Sequence, residues 1–214
     1  MTAVLVNPPQ FPMNNVQIYN ENCLFGKRTI TVNGKLSKDM HYGLDLMGLN
    51  TGSEQIVSPA DGKCIYLTEN DGTGCKTLIL AHGGLFDDGS MLITKHAHCS
   101  KFLVKLNDKV IRNQPVAMEG MTGNASGNHD HTETWILPAK VWFDGKKYYE
   151  YKFSDREKYA VDPLTMYHLY PHQRALGWGT ERLLWLQDMP VAEPRKVIDI
   201  EKIKKILQEA LDLL

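Results

Sequence analysis

The chain has 214 residues, of which 43% are hydrophobic and 23% charged, with a formal net charge of -1. That length fits one moderate domain with a short appendage, and the near-neutral balance supplies no cationic field toward nucleic acid or an anionic cell wall. No apolar run approaches the roughly 18–20 residues of a membrane helix, so no stable membrane insertion is expected. Residues up to about Gly26 are polar and carry Pro8, Pro9 and Pro12, and they read as an irregular arm, placed at 1–23. Met1–Met13 lacks the basic and apolar regions of a secretory signal, so the expected site of synthesis and residence is the cytoplasm. The strand-prone run Thr29-Ile30-Thr31-Val32 leads into the turn Asn33-Gly34. Short strands then follow at Gln55–Val57, Lys63–Thr68, Lys76–Ala81 and Met91–His98, separated by turns such as Ser58-Pro59-Ala60-Asp61-Gly62 and Asn70-Asp71-Gly72-Thr73-Gly74. Val110, Val116–Met118, Thr132–Leu137 and Val141–Phe143 continue the series, with Asp144-Gly145 as a hairpin turn into Tyr148–Phe153. Many short strands joined by Gly/Asn/Asp turns predict a mostly-β fold, an antiparallel sheet or sandwich with irregular loops.

After Tyr170 the composition changes. Residues 171–199, with Pro171, Pro190 and Pro194, read as a connecting segment. In 200–214 the positions Ile200, Ile203, Leu207, Ala210 and Leu214 follow a 3-4-3-4 spacing, which predicts an amphipathic C-terminal helix. Such a helix packs on its own domain or forms a seam for self-association, but two heptads are too few for a coiled coil. Cys23, Cys64, Cys75 and Cys99 form no C-x-x-C pair and are expected as free thiols.

Five of eight histidines fall in three clusters: His41-Tyr42-Gly43-Leu44-Asp45, His96-Ala97-His98 and His129-Asp130-His131. On a strand, residues i and i+2 point the same way, so each H-x-H is expected to project two imidazoles from one face. Imidazole and carboxylate donors without thiolates suit zinc, and three such donors leave the open position of a catalytic site. Spacing alone does not say which of these histidines bind.

The ordered set of motifs resembles the lysostaphin-type (LytM-like) zinc peptidases that cut peptidoglycan. The resemblance lies in His41-Tyr42-Gly43-Leu44-Asp45, Lys95-His96-Ala97-His98, and the Gly-rich turn Gly120–Asn128 leading to His129-Asp130-His131. Ser58–Gly62, Leu103–Val110 and Val161-Asp162-Pro163-Leu164 extend it, and together they place a metallopeptidase domain at 24–170. It implies one Zn²⁺ per chain held by His41, Asp45 and His131, with His98 and His129 as catalytic histidines. His96 is implied to be a neighbour of the site; Glu133, two residues beyond His131, is a candidate to orient it from behind. The zinc would bring the pKa of water toward about 7 and polarise an amide carbonyl. His98 or His129 would take the water's proton, stabilise the oxyanion or protonate the leaving amine. Where that family usually has Gly, this chain has Asn107 and Asn113, the next most tolerant residue at positive φ.

The function so implied is hydrolysis of a peptide bond in bacterial peptidoglycan, in the stem peptide or the cross-bridge. The missing export signal suggests a phage or prophage endolysin released through a holin. The alternative is a non-catalytic metal-binding module of the same fold that activates other wall hydrolases, but all five polar site residues are present. A lipoyl- or biotinyl-like carrier is disfavoured, because Met118 and Met121 are followed by Glu119 and Thr122 and not by Lys. Trp135, Trp142, Phe143, Tyr148, Tyr149 and Tyr151 are expected in the core, or else as a groove wall for a sugar-peptide substrate. Trp178 and Trp185 in the tail could serve wall binding.

Overall fold

The computed structural model describes residues 5–32, 34–49, 54–168 and 173–177. The expected helix 200–214, Trp178 and Trp185 lie outside the described residues, as does all of the connecting segment 171–199 except 173–177. The first strands are β1 (Asn15–Ile18), β2 (Gly26–Val32), β3 (Lys35–His41) and β4 (Leu44–Gly48). Next come β5 (Gln55–Val57), β6 (Gly62–Thr68), β7 (Thr77–His82), β8 (Met91–Ala97) and β9 (Lys101–Phe102). The last are β10 (Lys109–Val110), β11 (Pro115–Met118), β12 (Asp130–Leu137), β13 (Ala160–Val161) and β14 (Arg174–Gly177).

The main sheet runs β10-β6-β7-β8-β12-β4-β1-β14, with β13 also paired to β12. Every pairing between these strands is antiparallel except β1 with β14. β5-β11-β9 form a small second sheet, and β2-β3 stand apart as a hairpin. The mostly-β, antiparallel architecture is therefore the one expected.

Alternation along β12 divides the molecule, because successive side chains leave a strand on opposite faces. On one face His131, Glu133, Trp135 and Leu137 meet Ala97, Lys95, Ile93 and Met91 of β8. Ile79, Ala81, Ile93, Trp135 and Leu137 form a buried cluster there, covered by the chain between β12 and β13. Leu78 and Leu80 join Ile56, Cys64, Cys99, Val110 and Val116 in a cluster that ties the main sheet to the small one.

Four expectations about the fold need correction. The segment read as an irregular arm supplies β1, and Phe11, Met13, Val16 and Ile18 are fully buried against Leu44, Leu46 and Tyr167. The prolines obscured an alternating apolar pattern that only a neighbouring strand makes useful. Residues 173–177, placed in a connecting segment, contribute β14 beside β1. Val141–Phe143 is not a strand: Ala139–Trp142 is one helical turn, opened by Pro138 at φ -53, a value that suits a helix start. The Asp144-Gly145 turn survives as a bridge between Phe143 and Tyr148, while Tyr148–Phe153 forms no strand. Asn107 and Asn113 adopt φ 73° and 65°, as their place in glycine turns requires. All four cysteines are free thiols.

Candidate metal centre

β3 belongs to the separate hairpin and β4 to the main sheet, where Asp45 lies opposite His131. Two residues, Tyr42 and Gly43, carry the chain from one to the other directly over His131. A Cβ on Gly43 would sit 2.6 Å from His131 Cε1 and 2.7 Å from the Thr132 carbonyl oxygen. The glycine in H-x-G-x-D is thus a clearance for His131, the third donor.

That crossing brings three donors to one point. His41 Nε2 lies 3.1 Å from Asp45 Oδ1 and 3.0 Å from His131 Nδ1, and His131 Nδ1 lies 2.8 Å from Asp45 Oδ1. Each imidazole spends its other nitrogen outward. His41 Nδ1–H donates to the Leu24 carbonyl at 2.8 Å, and His131 Nε2–H donates to Glu133 Oε1 at 3.2 Å. Both rings therefore aim their second nitrogen inward beside a carboxylate oxygen, an arrangement that calls for a cation, a proton or a metal ion, between them. Tetrahedral zinc bonds of 2.0–2.1 Å would place donors roughly 3.3 Å apart, close to these separations. The residues fit zinc, and three protein donors leave a fourth position open. Among the described residues this is the one such cluster.

The electrostatics agree. Burial alone would raise the Asp45 carboxyl, but bonds with His131 and His41 outweigh it and hold the group well below the usual carboxylate range. Burial would likewise lower His131, yet Asp45 and Glu133 push it up to about 9. A site that binds a proton this firmly favours positive charge. Arg28 on β2 approaches the second oxygen of Asp45, with Nη1 3.6 Å from Oδ2.

His98 and His129 flank the cluster. His98 has left β8 with φ 63°, and its ring lies 4.6 Å from His129 and 6.0 Å from His131, centroid to centroid. His98 Nδ1–H donates to the Thr122 carbonyl at 2.7 Å, and His129 Nδ1–H to the Gly127 carbonyl at 2.8 Å. Both keep Nε2 as the proton-accepting nitrogen; that of His129 lies 3.8 Å from Asp45 Oδ1. Burial would lower the His98 pKa, but the Cys75 thiol and the Thr122 carbonyl raise it; burial lowers that of His129.

Behind His131, Glu133 is fully buried and also accepts from Lys95 Nζ at 2.7 Å and Trp135 Nε1 at 2.9 Å. Burial works to raise its carboxyl, and the His131 and Lys95 partners bring it down to about 2. His96, expected beside the site, is not there. It points to the other face of the sheet, with Nδ1 3.0 Å from Asp130 Oδ2 and Nε2 3.3 Å from Thr94 Oγ1. His96 and His98 do not share a face, because the positive φ at His98 ends the alternation.

Three contributors went unread in the sequence: Lys95, Arg28 and Cys75, whose Sγ accepts from the His98 backbone N–H at 3.1 Å. A lysine inside a strand of buried residues was a usable signal for Lys95. Nothing local pointed to Arg28 or Cys75.

A β-sheet domain with a His/Asp/His triad able to hold a metal ion and two flanking histidines is the class that fold and site define together. The profile described as peptidase family M23 matches residues 39–145, half of the chain. The chain belongs to peptidase family M23. It is 31% identical over 94 residues to the peptidoglycan DD-endopeptidase ShyA of Vibrio cholerae, covering 44% of this chain and 20% of that protein. It is 43% identical over 44 residues to an uncharacterized metalloprotease of Buchnera aphidicola, covering 21% of this chain and 12% of that protein. These matches span no more than a fifth of either curated relative. Among solved structures, the antimicrobial peptidase lysostaphin from Staphylococcus simulans aligns with a TM-score of 0.50 at 23% identity. That alignment covers 76% of this chain and 54% of that one, a likeness of fold.

Proposed function

We propose that this chain is a zinc-dependent endopeptidase that hydrolyses a peptide bond of bacterial peptidoglycan. The observation that carries the reading is the convergence of His41 Nε2, Asp45 Oδ1 and His131 Nδ1 under the rings of His98 and His129. The peptidoglycan substrate is supported by the DD-endopeptidase relative. A zinc ion held there would supply a water acidic enough to ionise near neutral pH and a Lewis acid for the scissile carbonyl. The chain's own residues do the rest. Glu133 fixes the His131 ring, Leu24 fixes that of His41, and the Nε2 atoms of His98 and His129 take up a proton and return it to the leaving amine.

The test is release of new primary amines from purified peptidoglycan, with and without a chelator. Chelation should abolish release and added zinc should restore it; His98→Ala and His129→Ala should lose activity while still binding zinc. Full activity of zinc-free protein would sink the reading. We extend the proposal to a phage or prophage lysis enzyme, made in the host cytoplasm and reaching the wall after holin-mediated release. Expression in the cytoplasm should then be harmless until the inner membrane is permeabilised, and lysis without permeabilisation would contradict it.

A further inference from the structure

The chain between β12 and β13 crosses the same sheet face as the metal centre, at its far end. Part of its aromatic content is core: Tyr151 stacks on the fully buried Trp135 at 5.3 Å and meets Tyr66 at 5.0 Å. Another part is not absorbed by the core. Tyr148 is 64% exposed and Phe143 43% exposed, their rings 4.9 Å apart; Trp142 and Tyr149 are half-buried against the core, and Trp142 lies 5.7 Å from Tyr148. Trp142, Tyr148 and Tyr149 wall a groove of about 580 Å³ whose polar positions are Lys63, Asn107 and Glu150. That volume falls within the roughly 300–1,000 Å³ of small-molecule sites.

The chemistry of this groove selects its ligand. Aromatic faces offer flat apolar contact, while one lysine, one glutamate and one asparagine give a rim with no net charge. A neutral ring with an apolar C–H face and a border of hydroxyl and amide groups fits that description; an anionic polymer does not. The location narrows it further. Met91, on the groove, and Ala97, opposite His131, are six residues apart on β8, about 20 Å at strand spacing. Between them lies a hollow of about 240 Å³ bordered by Asp71, Thr73, Lys95 and Tyr151. An extended peptide of about six residues bridges that distance.

We infer that the groove walled by Trp142, Tyr148 and Tyr149 is a binding subsite for the N-acetylated amino-sugar strand from which the cleaved peptide hangs. The inference rests on the peptidoglycan reading above. The sugar lies over the aromatic rings, the peptide runs along the β7–β8 face past Lys95, and the scissile bond reaches the metal centre.

The test uses the full chain stripped of zinc by a chelator and the β-1,4-linked N-acetylglucosamine tetramer as probe, with binding followed by tryptophan fluorescence and calorimetry. The tetramer should bind equally well with and without zinc. Tyr148→Ala, at an exposed position, should weaken binding about 3- to 10-fold, the usual worth of one aromatic contact; Leu36→Ala, at an 80%-exposed hairpin position, should not change it. In turnover, Tyr148→Ala should lower the ratio of kcat/KM on glycan-bearing fragments to kcat/KM on sugar-free cross-linked peptide by a similar factor, through KM. No tetramer binding, or equal binding by Tyr148→Ala, would overturn the subsite. Peptide cleavage that persists in that case leaves the endopeptidase reading standing. Tetramer binding without any peptide cleavage would instead defeat the endopeptidase reading alone.

Discussion

The two faces of the central sheet carry the same residue types and use them oppositely. On one face His41 and His131 sit with Asp45 and Glu133; on the other, His82 and His96 sit with Thr94 and Asp130. His96 spends both ring nitrogens inside the protein, on Asp130 and Thr94. His82 does the same, with the Asp61 carbonyl at 3.2 Å and Thr94 Oγ1 at 3.0 Å. On the first face each histidine spends one nitrogen and aims the other at a shared point. Residue type does not separate a buried polar network from a candidate metal centre; the direction of the ring nitrogens does.

That contrast can be broken or sharpened by substitution. The largest effect is expected from Gly43→Ala, which would push His131 off the shared point. A displacement of about 1 Å at a reacting centre costs on the order of 100-fold in rate, so kcat/KM should fall by about that much and zinc affinity should fall with it. Zinc titration and peptidoglycan turnover would check it. Glu133→Gln should come next, lowering zinc affinity about 10- to 100-fold, the usual cost of losing a ligand's outer partner. Competition with a zinc-sensitive dye gives the number.

On the opposite face, Asp130→Asn removes the carboxylate from the fully buried hydrogen bond with His96. It should cost about 1–3 kcal/mol in urea unfolding, the usual cost of disturbing a buried hydrogen bond, and leave one zinc bound per chain; zinc loss in a folded Asp130→Asn protein would erase the contrast between the faces. The last effect is spread over pH. Burial holds His82 down at about 4, below the 6.5 of an unperturbed histidine. The unfolded chain takes the proton first, so this contribution is complete above about pH 6.5 and drains away as pH falls toward 4. The loss should reach ~3 kcal/mol. His82→Gln should flatten the slope of the urea midpoint in that window.

Much of this was legible in the sequence because it is local. Turn residues mark most strands, and the H-x-G-x-D and H-x-H spacings place four of the five site residues in two short stretches. Glu133 was readable from the two-residue period that carries it to the side of His131. What escaped depends on partners distant in the chain. Lys95 gains its role from the β8–β12 register opposite Glu133, Arg28 from a hairpin folded back onto Asp45, and Cys75 from a turn that meets His98. The misplacement of His96 has the same origin. A single φ of 63° at His98 reverses the facing that alternation predicts, and no spacing rule contains it. Phe11, Met13, Val16 and Ile18 were missed as core because their apolar partners, Leu44, Leu46 and Tyr167, come later in the chain.

The most direct test is metal content by native mass spectrometry of the wild type beside His131→Ala, His98→Ala and His96→Ala. The account predicts one zinc per chain in the wild type and in the folded His98→Ala and His96→Ala proteins, and none in His131→Ala. Zinc retained by His131→Ala, or lost from a folded His96→Ala or His98→Ala protein, would contradict the assignment of His41, Asp45 and His131 as the metal centre.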